Sequence, residues 1–600
     1  MSALAPLAVA VPLLASALVA AATTLHPRRV TEGIAIATAL VSTGIATVLL
    51  VRSTDQPIIH WFGGWEPREG VALGIDFAVD PFGAGFALLV GVLTTATFVY
   101  SWHYFDELGQ TLFYAQMLFL AAMTGLALTG DLFNMFVFFE LATVPAIVLT
   151  GYLNEELGPL QGAIGFAVTN TLGAFLVLTG IALLYGRTGA LNLGQIGETL
   201  AGKEPDGLVV TAFALLVVGF LVKSAIVPFH FWLSDAYAVA PTPVLVVFAG
   251  AMSELGLFAV ARVYWTAFDG TLGGGADAIR DILVGAGILT ALVGALMCAH
   301  QTNVKRLLAY ATIAHAGLFL IGIALLDPSG LAGAAIWITA DGLVKGSLFM
   351  AAGIVVTRLG AVDERELHGR GRRHRLTGAL FALGGLALAT APPFGTFLGK
   401  ALVEEAGSRT SYGWLTLVFV LVSALVGGSV LRAAARIFGG WGDVDRAHER
   451  AGEEAGGEPA AGTGRVPAFM LAPAGLLLAS ALVLGVTPGL ASRADRAAER
   501  FQDREAYAAH VLQEQEPEAR ALEPSGPKPK HVLASVAAVA GAVAIAAASL
   551  FRRRLGRAAR AAAVPMNALA ALHSGHVGDY VAWLTIGAAA FGVLFAVGLG

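Results

Sequence analysis

Apolar residues in this chain come in long runs rather than in alternation. Stretches of about 18–25 hydrophobic residues recur from end to end, each closed by a short polar segment. A run of that length crosses about 30 Å of hydrocarbon as a helix. Only helices and closed barrels satisfy their backbone groups in lipid, and barrel strands alternate every second residue. The pattern therefore predicts an all-α polytopic membrane protein with about sixteen spans. They fall near residues 3–22, 32–51, 77–101, 112–130, 132–152, 162–185, 208–232, 241–265, 281–300, 305–326, 331–357, 376–399, 412–437, 467–487, 532–550 and 580–599. The first has no basic segment ahead of it and another follows at once, so it reads as a membrane helix rather than a leader.

Composition supports this: of 600 residues, 56% are hydrophobic and only 13% charged, about half the usual charged fraction of a soluble chain. The basic residues mark one side. Arg28 and Arg29, Lys305 and Arg306, the cluster from Arg358 to Arg375, Arg432 and Arg436, and Arg552 to Arg554 all border odd-numbered loops. Lys and Arg favour the cytoplasmic side, so odd loops are expected there, in a cell (plasma) membrane protein with both termini outside. A net charge of −5 gives no reason to expect nucleic acid. The single cysteine, Cys298, excludes an internal disulfide or a four-cysteine cluster. No HxxxH pair or Gly-rich nucleotide loop is present, so neither a metal nor a cofactor is expected in this chain.

Two segments leave the membrane and a third lies at its surface. Residues 442–466 are charged and Gly-rich, a flexible loop by composition. Residues 492–530 are charged and helix-prone, and 552–578 are basic with interleaved alanines, as in a helix lying at the interface. The expected organisation is N-terminal helices over 1–105, repeats over 106–265 and 266–440, the loop 441–466, a helix over 467–490, a charged segment over 491–530, and two last helices with a basic linker over 531–600.

Against this apolar background several titratable residues stand near half-depth. Glu140 lies nine residues beyond Asp131, roughly 13 Å along a helix. Lys223 is fifteen residues into span 208–232, and Glu254 thirteen into the next. His315 is ten residues past Lys305; Asp341 and Lys345 sit in the middle of span 331–357, and Lys400 follows span 376–399. A charge at the bilayer centre costs about 2.5–3.5 kcal/mol or more. Each group taken alone reads equally well as a packed polar group with a partner, and Asp341 and Lys345 are spaced as an i,i+4 ion pair. Six helices carrying such groups at matched depth read better as a hydrated path in the membrane plane that passes protons between carboxylate, amine and imidazole. Pro228 follows Lys223, and Pro392 and Pro393 precede Lys400. Broken helices beside ionisable groups, one in each half, are the pattern of inverted-repeat transporters.

The stretches GDLFNMFVFFEL (130–141), LVKSAIVPFHFWLSDAYAVAPTPV (221–244), QTNVKRLLAYATIAHAG (301–317) and APPFGTFLGK (391–400) resemble the antiporter-like subunits shared by complex I, membrane-bound hydrogenases and Mrp-type cation/proton antiporters. GGWEPREGVALGIDFAVDPFG (63–83) is similar to the D-type branch of the Mrp group. The resemblance implies a core of fourteen helices with two inverted five-helix repeats, each holding one broken helix. It implies a gating pair at Glu140 and Lys223, relay lysines at Lys305 and Lys345, and an exit at Lys400. It also places His230 and Asp235 in a PFHxWLxDA-type motif. Glu254 stands where the family usually has lysine or histidine, and Asp341 where histidine is common. Spans 15 and 16 exceed the usual length of the D-type branch, and the ending HSGHVGDYVAWLTIGAAA (573–590) looks more like subunit-5-type members.

The resulting expectation is a proton-translocating subunit of a multisubunit antiporter, with other membrane subunits as partners and protons, or protons and Na+, as the ions. The alternatives are the same module in a redox-driven complex, a non-conducting scaffold, or an inorganic-carbon transporter subunit.

Overall fold

A computed structural model describes residues 3–22, 27–102, 110–443, 466–513, 526–551, 566 and 569–599. The apolar runs become helices: α1 (Leu4–Ala21), α2 (Arg28–Ser53), α3 (Pro81–Tyr100), α4 (Thr111–Leu128), α5 (Leu132–Thr150) and α6 (Leu157–Thr188). A short α7 (Leu193–Leu200) precedes a broken span, α8 (Gly207–Lys223) and α9 (Phe231–Val239). The next span is α10 (Thr242–Val247), a π-helical turn Phe248–Met252, α11 (Ser253–Val263), a second π-helical turn and α12 (Asp269–Leu272). Then follow α13 (Ala276–His300), α14 (Val304–Ala324), α15 (Pro328–Leu359), a second broken span, α16 (Arg375–Leu388) and α17 (Gly395–Arg409), and α18 (Leu415–Ala434). The chain ends with α19 (Ala468–Val486), α20 (Leu490–Gln502), α21 (Arg504–Leu512), α22 (Pro529–Leu550) and α23 (Val577–Leu599). Among the described residues thirteen helices are long and apolar enough to span, one of them, Thr242–His300, holding two spans; Gly207–Lys223 and Arg375–Leu388 are the shorter first halves of the broken ones.

Short polar residues set where helices start. Asp80, Asp131, Asp206, Asn303 and Asp327 each accept a backbone N–H in the first turn of the helix that follows, and Pro81 and Pro328 occupy first-turn positions where no N–H is needed. Asp80 also corrects one expectation. The span placed at 77–101 starts only at Pro81, because residues Asp76–Val79 are a strand, β2, paired antiparallel with β1 (Ile58–Trp61).

The loops sort by parity. On one face the hairpin, the turn before α5, α7 and α20–α21 pack together: Asn192 donates to Asp76 at 2.9 Å, Arg504 pairs with Glu198 at 2.5 Å, and Val511 and Leu512 join Trp61, Ala72 and Ala78 in one apolar cluster. These are all even-numbered loops. Odd-numbered loops meet on the other face, where Glu364 holds both Arg432 (3.0 Å) and Arg436 (2.6 Å). The charged segment expected over 492–530 is helical through Leu512. The loop 442–466 and the basic segment 552–578 lie largely outside the described residues.

Two sets of five spans repeat one plan. Helices α6 and α15 are both 32 residues long and both end on a left-handed glycine, Gly189 and Gly360. The turn before α5 bridges the loop after α6 (Asp131 with Asn192), as the turn before α14 bridges the loop after α15 (Asn303 with Asp363). The breaks match as well: Ala225 and Thr390 have φ of 52° and 59°, and each starts the same turn, Ile226 N–H to Leu221 O and Ala391 N–H to Leu386 O. Five is odd, so the second set starts from the opposite face and is inverted relative to the first.

Candidate functional site

The first half of the site forms where α8 ends. Lys223 is fully buried at the last turn of α8, just before the break. Its Nζ donates to Thr143 Oγ1 on α5 at 2.8 Å and lies 5.0 Å and 5.5 Å from the ring centres of Phe139 and Phe166. An ammonium held by one hydroxyl and two aromatic faces is stabilised far less than in water, apart from a cation–π gain of about 0.5–2 kcal/mol per ring. The charge that acts on it is Glu140, one turn before Thr143 on α5. Phe166 stacks on Trp232 (4.7 Å, 14°), whose Nε1 donates to Val222 O at 3.1 Å. The indole thereby ties both halves of the broken span together around the lysine.

Glycines carry the path across to the second half. A Cβ on Gly256 would stand 2.3 Å from Ser224 Oγ and 3.3 Å from Lys223 Cβ, so only glycine lets α11 approach the break this closely. Two residues earlier is Glu254, buried, with Oε2 accepting from Ser253 Oγ at 2.8 Å. A second contact joins the two repeats: a Cβ on Gly342 of α15 would meet Gly250 O at 2.4 Å. This backbone crossing sets Glu254, one turn past Gly250, beside Asp341, the neighbour of Gly342. Lys345 and Asp341 are the charges that act on Glu254.

Asp341 is the hub of the second half. Its Oδ1 lies 2.6 Å from His315 Nδ1 of α14, and its Oδ2 pairs with Lys345 one turn on. All three are shielded from solvent, and Lys345 Nζ also lies 5.7 Å from the Phe319 ring centre. On α17 Lys400 donates to Ser535 Oγ at 3.3 Å and pairs with Glu404 at 3.4 Å. Thus Glu254, His315, Asp341 and Lys345 come together, Glu140 and Lys223 form a second group, and Lys400 a third. These acids and bases are the parts a proton relay needs; Gly256 brings the Glu254 helix against Lys223, while Lys400 has its contacts with Glu404 on its own helix and with Ser535 on α22.

The profile of the family described as "NADH:quinone oxidoreductase/Mrp antiporter, TM" matches residues 129–426, the segment that holds all of these groups. An NADH-quinone oxidoreductase subunit N from Moorella thermoacetica is 32% identical over 368 residues, 60% of this chain and 75% of the relative. The chain belongs to the NADH:quinone oxidoreductase/Mrp antiporter family. Within that family it is also similar to the D-type Na(+)/H(+) antiporter subunit of Bacillus subtilis (strain 168), 28% identical over 461 residues, 75% of this chain and 88% of the relative. Its fold superposes on a chain of the Mrp complex from Dietzia sp. DQ12-45-1b with a TM-score of 0.74 and 27% identity, covering 85% of this chain and 99% of that one.

Set against the family pattern, the two departures fall at the junction of the repeats. Glu254 and Asp341 are the residues brought together by the Gly250–Gly342 crossing, so both acids lie at one place. Lys305 is different: it is buried in the first turn of α14, about three turns from His315, hence near the membrane edge. Pro228 and Pro392–Pro393 lie inside the breaks, and His230 starts α9. Asp235 sits on α9 away from the midline groups, accepting from His573 at 2.9 Å and from Tyr580. Sequence reasoning missed Thr143, Glu404, Ser535, His573 and Tyr580. The i,i+4 spacing of Lys400 and Glu404 could have revealed one of them; Thr143 and Ser535 carry no sequence signal, because only the packing brings them to a lysine.

Proposed function

We propose that this chain is the proton-translocating membrane subunit of a multisubunit cation/proton antiporter of the Mrp type, and D-like within that type. Protons pass along the membrane plane through Glu140, Lys223, Glu254, Lys345 with Asp341 and His315, and Lys400, while Lys305 lies at an edge of the path. The observation that carries this reading is the network itself: Lys223, Glu254, His315, Asp341, Lys345 and Lys400 are buried on helices of both repeats, with Glu140 half-buried beside Lys223, and close glycine contacts bring the two repeats together. Charges so placed are functional by default in a membrane protein. The similarity to the Bacillus antiporter subunit over most of that relative's length supports the antiporter assignment.

Partner subunits have their own support. Glu140 lies on a face of α5 with Phe133, Val137, Val144 and Val148, all exposed on this chain. A carboxylate at mid-depth on an apolar outer stripe is costly against lipid and fits a neighbouring membrane subunit that covers it. The clustering of Lys and Arg in the odd loops supports a cytoplasmic side there, with both termini outside a plasma membrane. Na+ is the counter-ion that the Bacillus relative suggests.

Lys223→Ala in the intact complex tests the reading. Proton flux in proteoliposomes should vanish while the complex still assembles; retained flux would favour a scaffold. The oxidoreductase relative keeps one second reading, the same module in a redox-driven complex. Copurification of iron–sulfur or nucleotide-binding subunits decides between them.

A further inference from the structure

The two helices beyond the fourteenth span are not a loose appendage. Helix α23 presses against the first break: a Cβ on Gly587 would stand 2.5 Å from Pro228 Cγ and 2.6 Å from the Phe229 ring. The segment before it brings His573 to Asp235, Nε2 to Oδ1 at 2.9 Å, and Tyr580 donates to the other carboxylate oxygen. Phe231 stacks on the Tyr580 ring (5.6 Å, 6°), and Arg306 approaches Asp235 at 3.8 Å. Beside this cluster is a cavity of about 80 Å³, lined among others by Pro228, His230, Tyr310, His573 and Trp583. One water needs roughly 10–15 Å³ of such volume and polar partners; most of the lining is apolar, and the ring nitrogens of His230 and His573 with the Tyr310 hydroxyl form its polar edge. Nδ1 of His230 and Nδ1 of His573 are both buried without a partner among the described residues, and both histidines line this cavity.

The second repeat holds a counterpart. Asp235 lies ten residues beyond Ala225, and Lys400 ten residues beyond Thr390, the matching residues of the two breaks. Each is touched by one added helix: Asp235 by Tyr580 of α23, Lys400 by Ser535 of α22. Inversion of the repeats puts these two positions on opposite faces.

We infer that the C-terminal extension completes a proton portal at the face where α9 ends, with His573 shuttling protons between the cavity and Asp235. A proton arriving at Nδ1 makes the imidazolium, and the proton on Nε2 passes to the Asp235 carboxylate, leaving neutral imidazole and a carboxylic acid; the reverse sequence empties the site. Tyr580 and Arg306 hold the carboxylate in place. The inference rests on the relay reading above and extends it to how the path meets water.

The test uses the intact complex in proteoliposomes. His573→Gln keeps a hydrogen bond to Asp235 but cannot titrate; it should assemble normally and lower proton flux at least tenfold. His573→Ala should lose flux to the same degree and regain at least half of it with added imidazole. Wild-type flux in His573→Gln overturns the portal, as does failure of His573→Gln to assemble, which would make the contact structural. Lys223→Ala serves as the control. If it conducts, the relay itself is wrong; if it is silent while His573→Gln conducts, only the portal is wrong.

Discussion

Replacing Asp341 separates what the central network does for folding from what it does for transport. Asp341 holds two groups, His315 at 2.6 Å and Lys345 one turn away, all without solvent contact. Asp341→Leu takes from buried Lys345 its ion-pair partner and leaves Glu254 as the remaining carboxylate that acts on it, a loss of about 3–5 kcal/mol, and it removes the acceptor of His315, about 1–3 kcal/mol for an orphaned polar group. The two costs fall on neighbouring groups and do not add, so the expected loss is about 3–5 kcal/mol. Adding Lys345→Met fills the same space with an apolar chain. Replacing a whole buried ion pair by hydrophobic residues is often neutral, so the double variant should return to within about 1–2 kcal/mol of wild type. Flux should be absent from both. Stability is read from unfolding of the purified subunit in detergent, and flux from proteoliposomes containing the whole complex. A double variant as unstable as the single one would refute the energetic reasoning; a double variant that conducts would refute the relay.

Other expectations follow from single contacts. Gly342→Val forces a side chain into the Gly250 backbone; it should cost at least about 1–3 kcal/mol and uncouple Glu254 from Asp341, seen as lost flux in any protein that still assembles. Thr143→Val removes the hydroxyl acceptor of Lys223 at nearly constant volume; a hydrogen bond to a charged group contributes about 1.5–3 kcal/mol, and flux should fall with assembly unchanged. Glu364→Ala strips Arg432 and Arg436 of their shared carboxylate and should lower stability by about 3–5 kcal/mol while leaving flux per assembled complex intact. In the extramembrane hairpin, burial and the nearby Asp131 carboxylate push Asp76 up to about 8 from an ordinary 3.8. The folded state therefore binds the extra proton, so this contribution is complete below about 3.8 and lost as pH rises through 8. Asp76→Asn should flatten the fall in unfolding stability between those pH values.

The spans were legible because lipid imposes length: every apolar run that the pattern marked became a helix, including the two that break. The break itself was visible at Pro228 and at Pro392–Pro393, since proline removes a donor and clashes with the preceding turn, although Pro12, Pro145 and Pro473 sit inside continuous helices. Its position relative to Lys223 was not visible, because Ala225 and Thr390, which carry the positive φ, look like ordinary helix formers or strand residues. The i,i+4 pair of Asp341 and Lys345 was readable from spacing, and the structure forms it. Contacts between distant elements were not readable. Ser535 reaches Lys400 across 135 positions of sequence and His573 reaches Asp235 across 338; hydropathy says that such segments enter the membrane but not which flank they join. The strand Asp76–Val79 was hidden for a related reason: it is as apolar as the helix after it, and only Asp80 marks the boundary.

The crossing of Gly250 over Gly342 has a mechanical consequence. With no side chain between the two backbones, the two repeats are in direct main-chain contact at this point. Any residue larger than glycine at either position would wedge the repeats apart there, so the spacing between the two halves is set by a pair of hydrogen atoms.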